Sequence, residues 1–220
     1  MTQVFGVANL KGGVGKSSLI HLFALTSGND PINKKVLVID ASENKQLTYL
    51  NAFSNQDKYT IVKSQLNAVP NILAAEAENF DLIFIDFSQN IESSDFQKAL
   101  LCCSGIIIPT GAGIMDQMAT KSFLEIADEI IKLRKAAGYS TLRKVLVSNV
   151  SHEQDAFELI EILSKQGVDH FEFPLLRHAS LGYSIEKSMP VMDYVTEGID
   201  WTEEQNIFHK VFIEFHGITE

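Results

Sequence analysis

The residues best suited to chemistry lie in one glycine-rich segment, residues 11–18, with the sequence KGGVGKSS. It follows the apolar run VFGVAN and precedes the apolar stretch SSLIHLFAL, so we expect a strand, a tight loop and a helix in that order. Glycines let successive backbone N–H groups turn toward one anion, and the N-terminal end of a helix adds positive potential. The segment therefore predicts a phosphate-binding loop.

Individual side chains of this loop have separate expected roles. Lys16 is placed to reach the β- and γ-phosphates of a nucleotide, and the Ser17 hydroxyl is placed to ligate Mg²⁺. The usual spacing would put the first glycine at position 10, which is Leu10, and the flexibility comes instead from the following glycines. The expected nucleotide-binding residues are Lys11, Gly12, Gly13, Val14, Gly15, Lys16, Ser17 and Ser18.

Two further apolar runs end in a carboxylate, VLVID at Asp40 and LIFID at Asp86. A charge at the end of a buried strand is costly unless it has a partner. If both strands lie parallel to the strand before the loop, both aspartates emerge at the carboxyl edge of the sheet, where α/β proteins bind ligands. There they are suited to hold Mg²⁺ through its water molecules; strand-end caps without a metal role are the alternative.

The rest of the chain predicts the elements that position these groups. Apolar β-rich runs alternate with helical patterns, as a parallel sheet covered on both faces requires. We expect a single α/β domain over residues 1–220, with three α/β/α layers and a mostly parallel, doubly wound sheet. The predicted strands are 4–8, 35–39, 82–85, 105–109 and 144–149; the predicted helices are 15–27, 61–79, 96–103, 116–137, 154–166 and 201–215. The last helix collects Trp201, Phe208, Phe212 and Phe215 on one face, which favours core packing.

Composition excludes several classes of protein. No run approaches the ~20 apolar residues of a membrane helix, and the first residues lack a secretory pattern, so we expect neither membrane insertion nor secretion. The two cysteines are adjacent, Cys102 and Cys103, which excludes a disulfide framework and fits buried thiols in a reducing cytoplasm. The net charge of −10 argues against a broad basic face for nucleic acid.

The loop KGGVGKSS, following a strand that ends in Asn9, resembles the deviant Walker A loop of the ParA/MinD family of ATPases. By this resemblance the protein binds ATP and Mg²⁺, and Lys11 is the signature lysine that contacts the nucleotide of the other subunit in a nucleotide-sandwich homodimer. A solvated surface lysine is the alternative. Asp86 resembles the Walker B aspartate and Asp40 the first acid of the family's second-strand motif. Chain length and the acidic C-terminal region resemble the small ParA type more than MinD.

The sequence departs from the family at the position of a catalytic acid. The family's second strand commonly runs into Asp-x-Asp-Pro-Gln, and Ser42 stands where the second Asp is expected. A hydroxyl cannot take a proton from water at neutral pH as a carboxylate can. The resemblance thus makes Lys11, Lys16, Asp40 and Ser42 the expected catalytic set, with slow ATP hydrolysis. The segment Phe87-Ser88-Gln89 also departs from the family's Thr-Pro-Pro.

Later landmarks resemble the family more loosely. Asn149 stands where the family has a residue that contacts adenine; a plain strand-end turn residue is the alternative. The tract 174–194 resembles a region of the family through Arg177, Lys187, Pro190 and Tyr194. Cations that could contact DNA phosphates without sequence preference, or could form a charged solvated helix end, are Lys132, Arg134, Lys135, Arg143 and Lys144, with Arg177 and Lys187 as further candidates.

The resemblance implies an ATP-dependent dimerising switch that partitions or positions DNA or a protein cargo. It also implies a small cargo- or centromere-binding partner protein, and a cytoplasmic location with nucleoid association as a further expectation. Two other functions stay open. One is a nucleotide-gated scaffold with negligible hydrolysis, motivated by Ser42; the other is a dethiobiotin-synthetase-like enzyme of the same fold, against which Lys11 argues.

Overall fold

The computed structural model describes residues 2–29, 31–54, 57–87, 93–177, 179–189 and 202–217. Two short 3₁₀ turns, Leu66–Ala68 and Ala77–Asn79, flank the third helix. The elements of the described residues are β1 (Gln3–Val7), α1 (Lys16–Ser27), β2 (Val36–Ala41), α2 (Gln46–Ser54), β3 (Thr60–Lys63), α3 (Val69–Glu76), β4 (Leu82–Phe87), α4 (Ser94–Leu101), β5 (Gly105–Thr110), α5 (Ile114–Ala136), β6 (Leu142–Val150), α6 (Glu153–Lys165), β7 (Leu175–Leu176), α7 (Ala179–Lys187) and α8 (Thr202–Gly217).

The seven strands of this part of the chain form one sheet in the order β3-β2-β4-β1-β5-β6-β7. Every neighbouring pair is parallel, which confirms the predicted doubly wound sheet. β1 lies between β4 and β5, so the loop that follows β1 emerges in the middle of the carboxyl edge. Asp40 on β2 pairs in register with Asp86 on β4, which places the two carboxylates side by side beside that loop.

The core has two halves, one on each face of the sheet. β2, β4 and β5 are buried along their whole length because helices cover both faces, which explains their uninterrupted apolar runs. One half packs α3, α4, α5 and α6 against the sheet, and the other packs α1, α7 and α8.

The predicted core packing of the last helix is confirmed. Phe208, Phe212 and Phe215 of α8 are buried, and the Phe215 ring stacks on Phe23 of α1 at a centroid distance of 4.6 Å. α1, which carries the end of the phosphate loop, is thus held between the sheet and α8. Trp201 lies outside the described residues.

Most predicted strands and helices are found within a few residues, but the predicted helix 61–79 is wrong over its first part. Residues Thr60–Lys63 form the edge strand β3 because the β-branched run pairs with β2, and α3 begins only at Val69. The sequence pattern did not predict α2, β7 or α7. Cys103 is buried and Cys102 half-buried, both as free thiols. Among the described helices none is long and apolar enough to cross a bilayer.

Candidate functional site

The loop between β1 and α1 borders a cleft of about 570 Å³. The ends of β2, β6 and β7 and one face of α7 line its other sides. Gly13 and Gly15 have φ values of 77° and 90°, a left-handed backbone that disfavours side chains, so the glycines permit the sharp turn predicted for a phosphate loop. Val14 between them is buried, whereas Lys11 and Ser18 are exposed and Gly12 is half-buried.

Lys16 and Ser17 turn inward at the start of α1. The Lys16 ammonium donates to the backbone carbonyl of Lys11 at 3.1 Å, so it lies across the loop. Burial lowers the pKa of Lys16, and the nearby Asp86 charge opposes this shift. The Ser17 hydroxyl donates to Oδ2 of Asp86 at 2.6 Å, which joins the loop to β4 and brings together two residues that the sequence analysis expected to bind Mg²⁺.

Asp86 is the carboxylate best suited to bind a cation. It is fully buried, and its Oδ1 has no hydrogen-bond partner among the described residues. Burial raises the pKa of Asp86 to about 7; the Ser17 hydrogen bond opposes the rise and the charge of Asp40 adds to it. A buried carboxylate oxygen without a donor is unfavourable, and a metal ion at this position would satisfy it. These residues therefore fit Mg²⁺.

Asp40 is also fully buried, but its carboxylate is already satisfied by protein groups. Oδ1 accepts from the Ser42 amide at 3.3 Å and the Ser42 hydroxyl at 2.6 Å. Oδ2 accepts from the Thr48 amide at 2.9 Å and the Thr48 hydroxyl at 2.7 Å. In this conformation Asp40 anchors the start of α2, and the Ser42 proton points at Asp40 instead of toward a water in the cleft.

Lys45 is a member of this region that the sequence analysis missed. Its backbone is left-handed, with φ 50°, and its ammonium donates to the carbonyls of Asp40 at 3.1 Å and Ser64 at 2.6 Å. The side chain therefore bridges the carboxyl ends of β2 and β3. It lies between two elements that are adjacent only in space, so no local sequence signal indicated it.

A buried polar network holds the loop from the other side. Asn9 donates from Nδ2 to the Pro109 carbonyl and to the Thr120 hydroxyl, both at 2.8 Å, and its Oδ1 accepts from the Lys11 amide at 3.2 Å. The Thr120 hydroxyl in turn donates to Thr110 at 2.7 Å. Asn9 therefore ties the Lys11 backbone to β5 and α5 while the Lys11 side chain stays exposed.

The end of β6 contacts the same loop. The Ser148 hydroxyl donates to the Val14 carbonyl at 2.9 Å, and Nδ2 of Asn149 donates to the Gly13 carbonyl at 2.9 Å. Nε of Arg177 donates to Oδ1 of Asn149 at 2.8 Å. Of these three residues, Ser148 was missed by the sequence analysis, although it precedes a predicted site residue.

The basic cluster predicted for DNA is largely occupied within the fold. Arg134 donates to the Leu101 carbonyl and to Thr141, and its guanidinium lies over the Tyr139 ring. Arg143 pairs with Asp128 and Lys144 with Glu214, both at the start of β6 and away from the phosphate loop. Lys132, Lys135 and Lys187 are exposed. Ser88, Gln89, Pro190 and Tyr194 lie outside the described residues.

No cluster of three or more His, Cys, Asp or Glu side chains within the described ranges is arranged to hold a metal. The sequence matches no protein-family model and no curated protein.

The chain is similar to several solved structures over nearly its whole length. An ATP complex of McdA from Cyanothece has a TM-score of 0.73 at 15% identity, covering 98% of this chain and 96% of that one. The septum site-determining protein MinD from Pyrococcus horikoshii, complexed with Mg-ADP, has a TM-score of 0.71 at 15% identity, covering 100% and 99%. A plasmid partition protein from Borrelia burgdorferi has a TM-score of 0.68 at 16% identity, covering 99% of each chain. The chain thus has the fold of the ParA/MinD-type P-loop ATPases.

Proposed function

We propose that this protein is an ATP-dependent dimerising switch that partitions or positions DNA or a protein cargo. The observation that carries the proposal is the geometry around Ser17. Its hydroxyl joins the phosphate loop to Asp86, whose second oxygen lacks a donor among the described residues, while Lys11 stands exposed at the rim. The structures similar to this chain include a septum site-determining protein and a plasmid partition protein, which supports the same class of function.

MgATP is the proposed ligand. The amides of the loop and the Lys16 ammonium would hold its phosphates, with Lys16 leaving the Lys11 carbonyl to do so. Ser17 and Asp86 would hold Mg²⁺, with Asp40 in the neighbouring position on β2. When bound, Mg²⁺ neutralises charge on the phosphates.

Homodimerisation is proposed through Lys11. Its backbone is fixed by Asn9, so the exposed side chain projects from a rigid base toward a second subunit. Ile114, Met115 and Met118 at the start of α5 are also exposed on this edge, with 74%, 65% and 60% of their surface accessible. An apolar surface next to a charged contact suits an interface that forms only when nucleotide is present.

Size-exclusion chromatography with light scattering tests this step. We expect a monomer without nucleotide or with ADP, and a dimer with MgATP. Lys11→Ala should bind ATP but stay monomeric, whereas the control Lys121→Ala, which removes an exposed lysine from α5, should still dimerise. A wild-type protein that binds MgATP and remains monomeric at every concentration would refute the switch.

Slow intrinsic hydrolysis is proposed from the contact between Ser42 and Asp40. A serine hydroxyl cannot take a proton from water at neutral pH, and that of Ser42 donates to Asp40, so the cleft lacks a general base at this position. Because general acid–base groups contribute about 10²–10⁴-fold, Ser42→Asp should raise the rate of phosphate release at least about tenfold, and Ser42→Ala should leave it low. Fast turnover in the wild type that is unchanged in Ser42→Ala would exclude this explanation.

The same observation favours a second candidate, a nucleotide-gated scaffold that binds ATP and partners with negligible catalysis. Single-turnover measurements with excess enzyme separate the two functions. Conversion of bound ATP to ADP on a time scale of minutes supports the ATPase. A complex that retains intact ATP for many hours while remaining dimeric supports the scaffold.

DNA is proposed as one cargo, together with a small cargo- or centromere-binding partner protein and a cytoplasmic location. The candidate phosphate contacts are the exposed lysines Lys132, Lys135 and Lys187, together with Arg177, which lines the cleft. Binding to random duplex DNA should require MgATP, weaken with added salt, and fall in the Lys132→Ala/Lys135→Ala double variant. Equal binding with and without ATP would remove DNA from the proposal.

A further inference from the structure

Asn149, the last but one residue of β6, has an unusual backbone and two fixed side-chain contacts. Its φ is 58°, a left-handed conformation that few residues other than glycine adopt, although asparagine is among those that tolerate it. This conformation turns the side chain toward the phosphate loop, where Nδ2 donates to the Gly13 carbonyl at 2.9 Å.

Arg177 determines which end of the Asn149 amide meets the loop. Its Nε donates to Oδ1 of Asn149 at 2.8 Å, and a donor on this side requires the amide oxygen to face Arg177. The amide nitrogen then faces Gly13. Arg177 is itself held in place because its backbone N–H donates to the Val150 carbonyl at 2.8 Å.

Ser148 adds a contact to the next peptide of the loop, since its hydroxyl donates to the Val14 carbonyl at 2.9 Å. The C=O and N–H groups of a trans peptide point in opposite directions. Holding the carbonyls of Gly13 and Val14 toward β6 therefore fixes the N–H groups of Val14 and Gly15 in the opposite direction. Those N–H groups are two of the proposed phosphate donors.

We propose that Asn149, oriented by Arg177, is a positioning residue of the phosphate loop and that its main contribution is to phosphate binding, not to recognition of the base. We refer to Ser148, Asn149 and Arg177 as the loop clamp. The proposal rests on the proposed binding of nucleotide at this loop. It predicts that the clamp acts equally on any ligand that presents a triphosphate.

Inorganic tripolyphosphate, which has no base, separates the two roles of Asn149. Binding of MgATP, MgGTP and magnesium tripolyphosphate is measured by calorimetry for the wild type, Asn149→Gly and Asn149→Asp. Glycine keeps the left-handed backbone without the amide, and aspartate keeps an acceptor for Arg177 but cannot donate to Gly13. Ser151→Gly, at an exposed position two residues on, is the matched control for adding a glycine to this turn.

We expect both Asn149 variants to bind MgATP and magnesium tripolyphosphate more weakly than the wild type, and by the same factor for each ligand. The loss of one hydrogen bond should reduce the affinity about fivefold, and the preference for ATP over GTP should be unchanged. Arg177→Met should act in the same direction, and Arg177→Lys, which keeps a donor, should restore part of the affinity. The proposal is overturned if tripolyphosphate affinity is unchanged while the ATP-over-GTP preference falls, or if no ligand is affected.

Hydrogen exchange of the nucleotide-free protein provides a readout that does not depend on binding. Asn149→Gly should speed exchange of the amides of residues 12–16 relative to Ser151→Gly, and unchanged exchange would overturn the clamp. A wild type that binds none of the three ligands would refute the proposed function, while faster loop exchange in Asn149→Gly would still support the clamp.

Discussion

Replacing Asp86 by asparagine should stabilise the nucleotide-free protein while removing its response to Mg²⁺. The carboxylate of Asp86 is fully buried, has one donor, Ser17, and lies beside the second buried carboxylate, Asp40. Asparagine keeps the size and an acceptor for Ser17 but carries no charge. The substitution therefore removes the cost of burying the charge together with the negative ligand for the metal.

The magnitude follows from the pKa of Asp86, which burial raises from its usual value of 3.8 to about 7. The contribution of a group with a raised pKa is fully present below the unfolded-state value and is lost as the pH rises through the folded-state value. The free energy of unfolding of the wild type should thus fall between pH 4 and pH 7. In Asp86→Asn this fall should be absent, because asparagine does not ionise. The advantage of Asp86→Asn in free energy of unfolding grows from under about 1 kcal/mol at pH 4 to about 4 kcal/mol at pH 8.

Urea unfolding at several pH values in EDTA measures this difference. The control Glu78→Gln changes an exposed carboxylate in the turn that precedes β4 and should alter the free energy of unfolding by less than about 0.5 kcal/mol at every pH. In a second arm, MgATP should raise the melting temperature of the wild type more than that of Asp86→Asn. The reasoning is refuted if Asp86→Asn is no more stable than the wild type at pH 8, or if its advantage does not change between pH 4 and pH 8.

Three further outcomes test other parts of the fold. Burial lowers the pKa of His21 from 6.5 to about 4, so neutral His21 contributes stability that is lost as the pH falls below 6.5. Relative to His21→Gln, the wild type should therefore lose about 2 kcal/mol of unfolding free energy between pH 7 and pH 5, as measured by denaturant titration. Thr48→Val removes the hydroxyl that donates to Asp40 at 2.7 Å and should cost about 1 to 2 kcal/mol in the same assay, and a neutral effect would show that this contact is not stabilising. Phe215→Ala should lower the free energy of unfolding by about 3–5 kcal/mol because the ring is fully buried. Ile213→Ala, on the exposed face of α8, should lower it by under about 1 kcal/mol. Equal effects of the two substitutions would contradict the described packing of α8.

The layered fold could be predicted because its main strands are fully buried. Runs such as VLVID and LIFID are apolar throughout, and two helical layers are needed to bury both faces of such strands. The short elements could not be predicted in the same way. β3 has four residues and half-exposed side chains, and β7 has two residues, so each is too short for its pattern of apolar residues to be distinguished from that of a helix or loop.

The residues of the candidate site also fall into two groups, those that local sequence could predict and those that it could not. Lys16, Ser17 and Asp86 were predictable because a local motif and a strand end each place a specific chemical group. Asn9 and Thr48 act through side-chain contacts with groups elsewhere in the chain, which local spacing does not encode. The basic cluster shows the opposite error: Arg143 looked available in the sequence, but it pairs with Asp128, 15 positions before it.

The central position of β1 has a consequence for how the protein folds. Asn9 meets Pro109 across 100 positions of sequence, and Gly13 and Val14 meet β6 across 136 and 134. Each contact closes a large loop of chain, which costs entropy before any contact energy is gained. We therefore expect the phosphate loop, although it lies within the first twenty residues, to reach its final conformation only after the middle of the sheet has assembled. In a refolding experiment, capacity to bind nucleotide should therefore return with the slowest phase, so ligand binding reports completion of the fold and not its beginning.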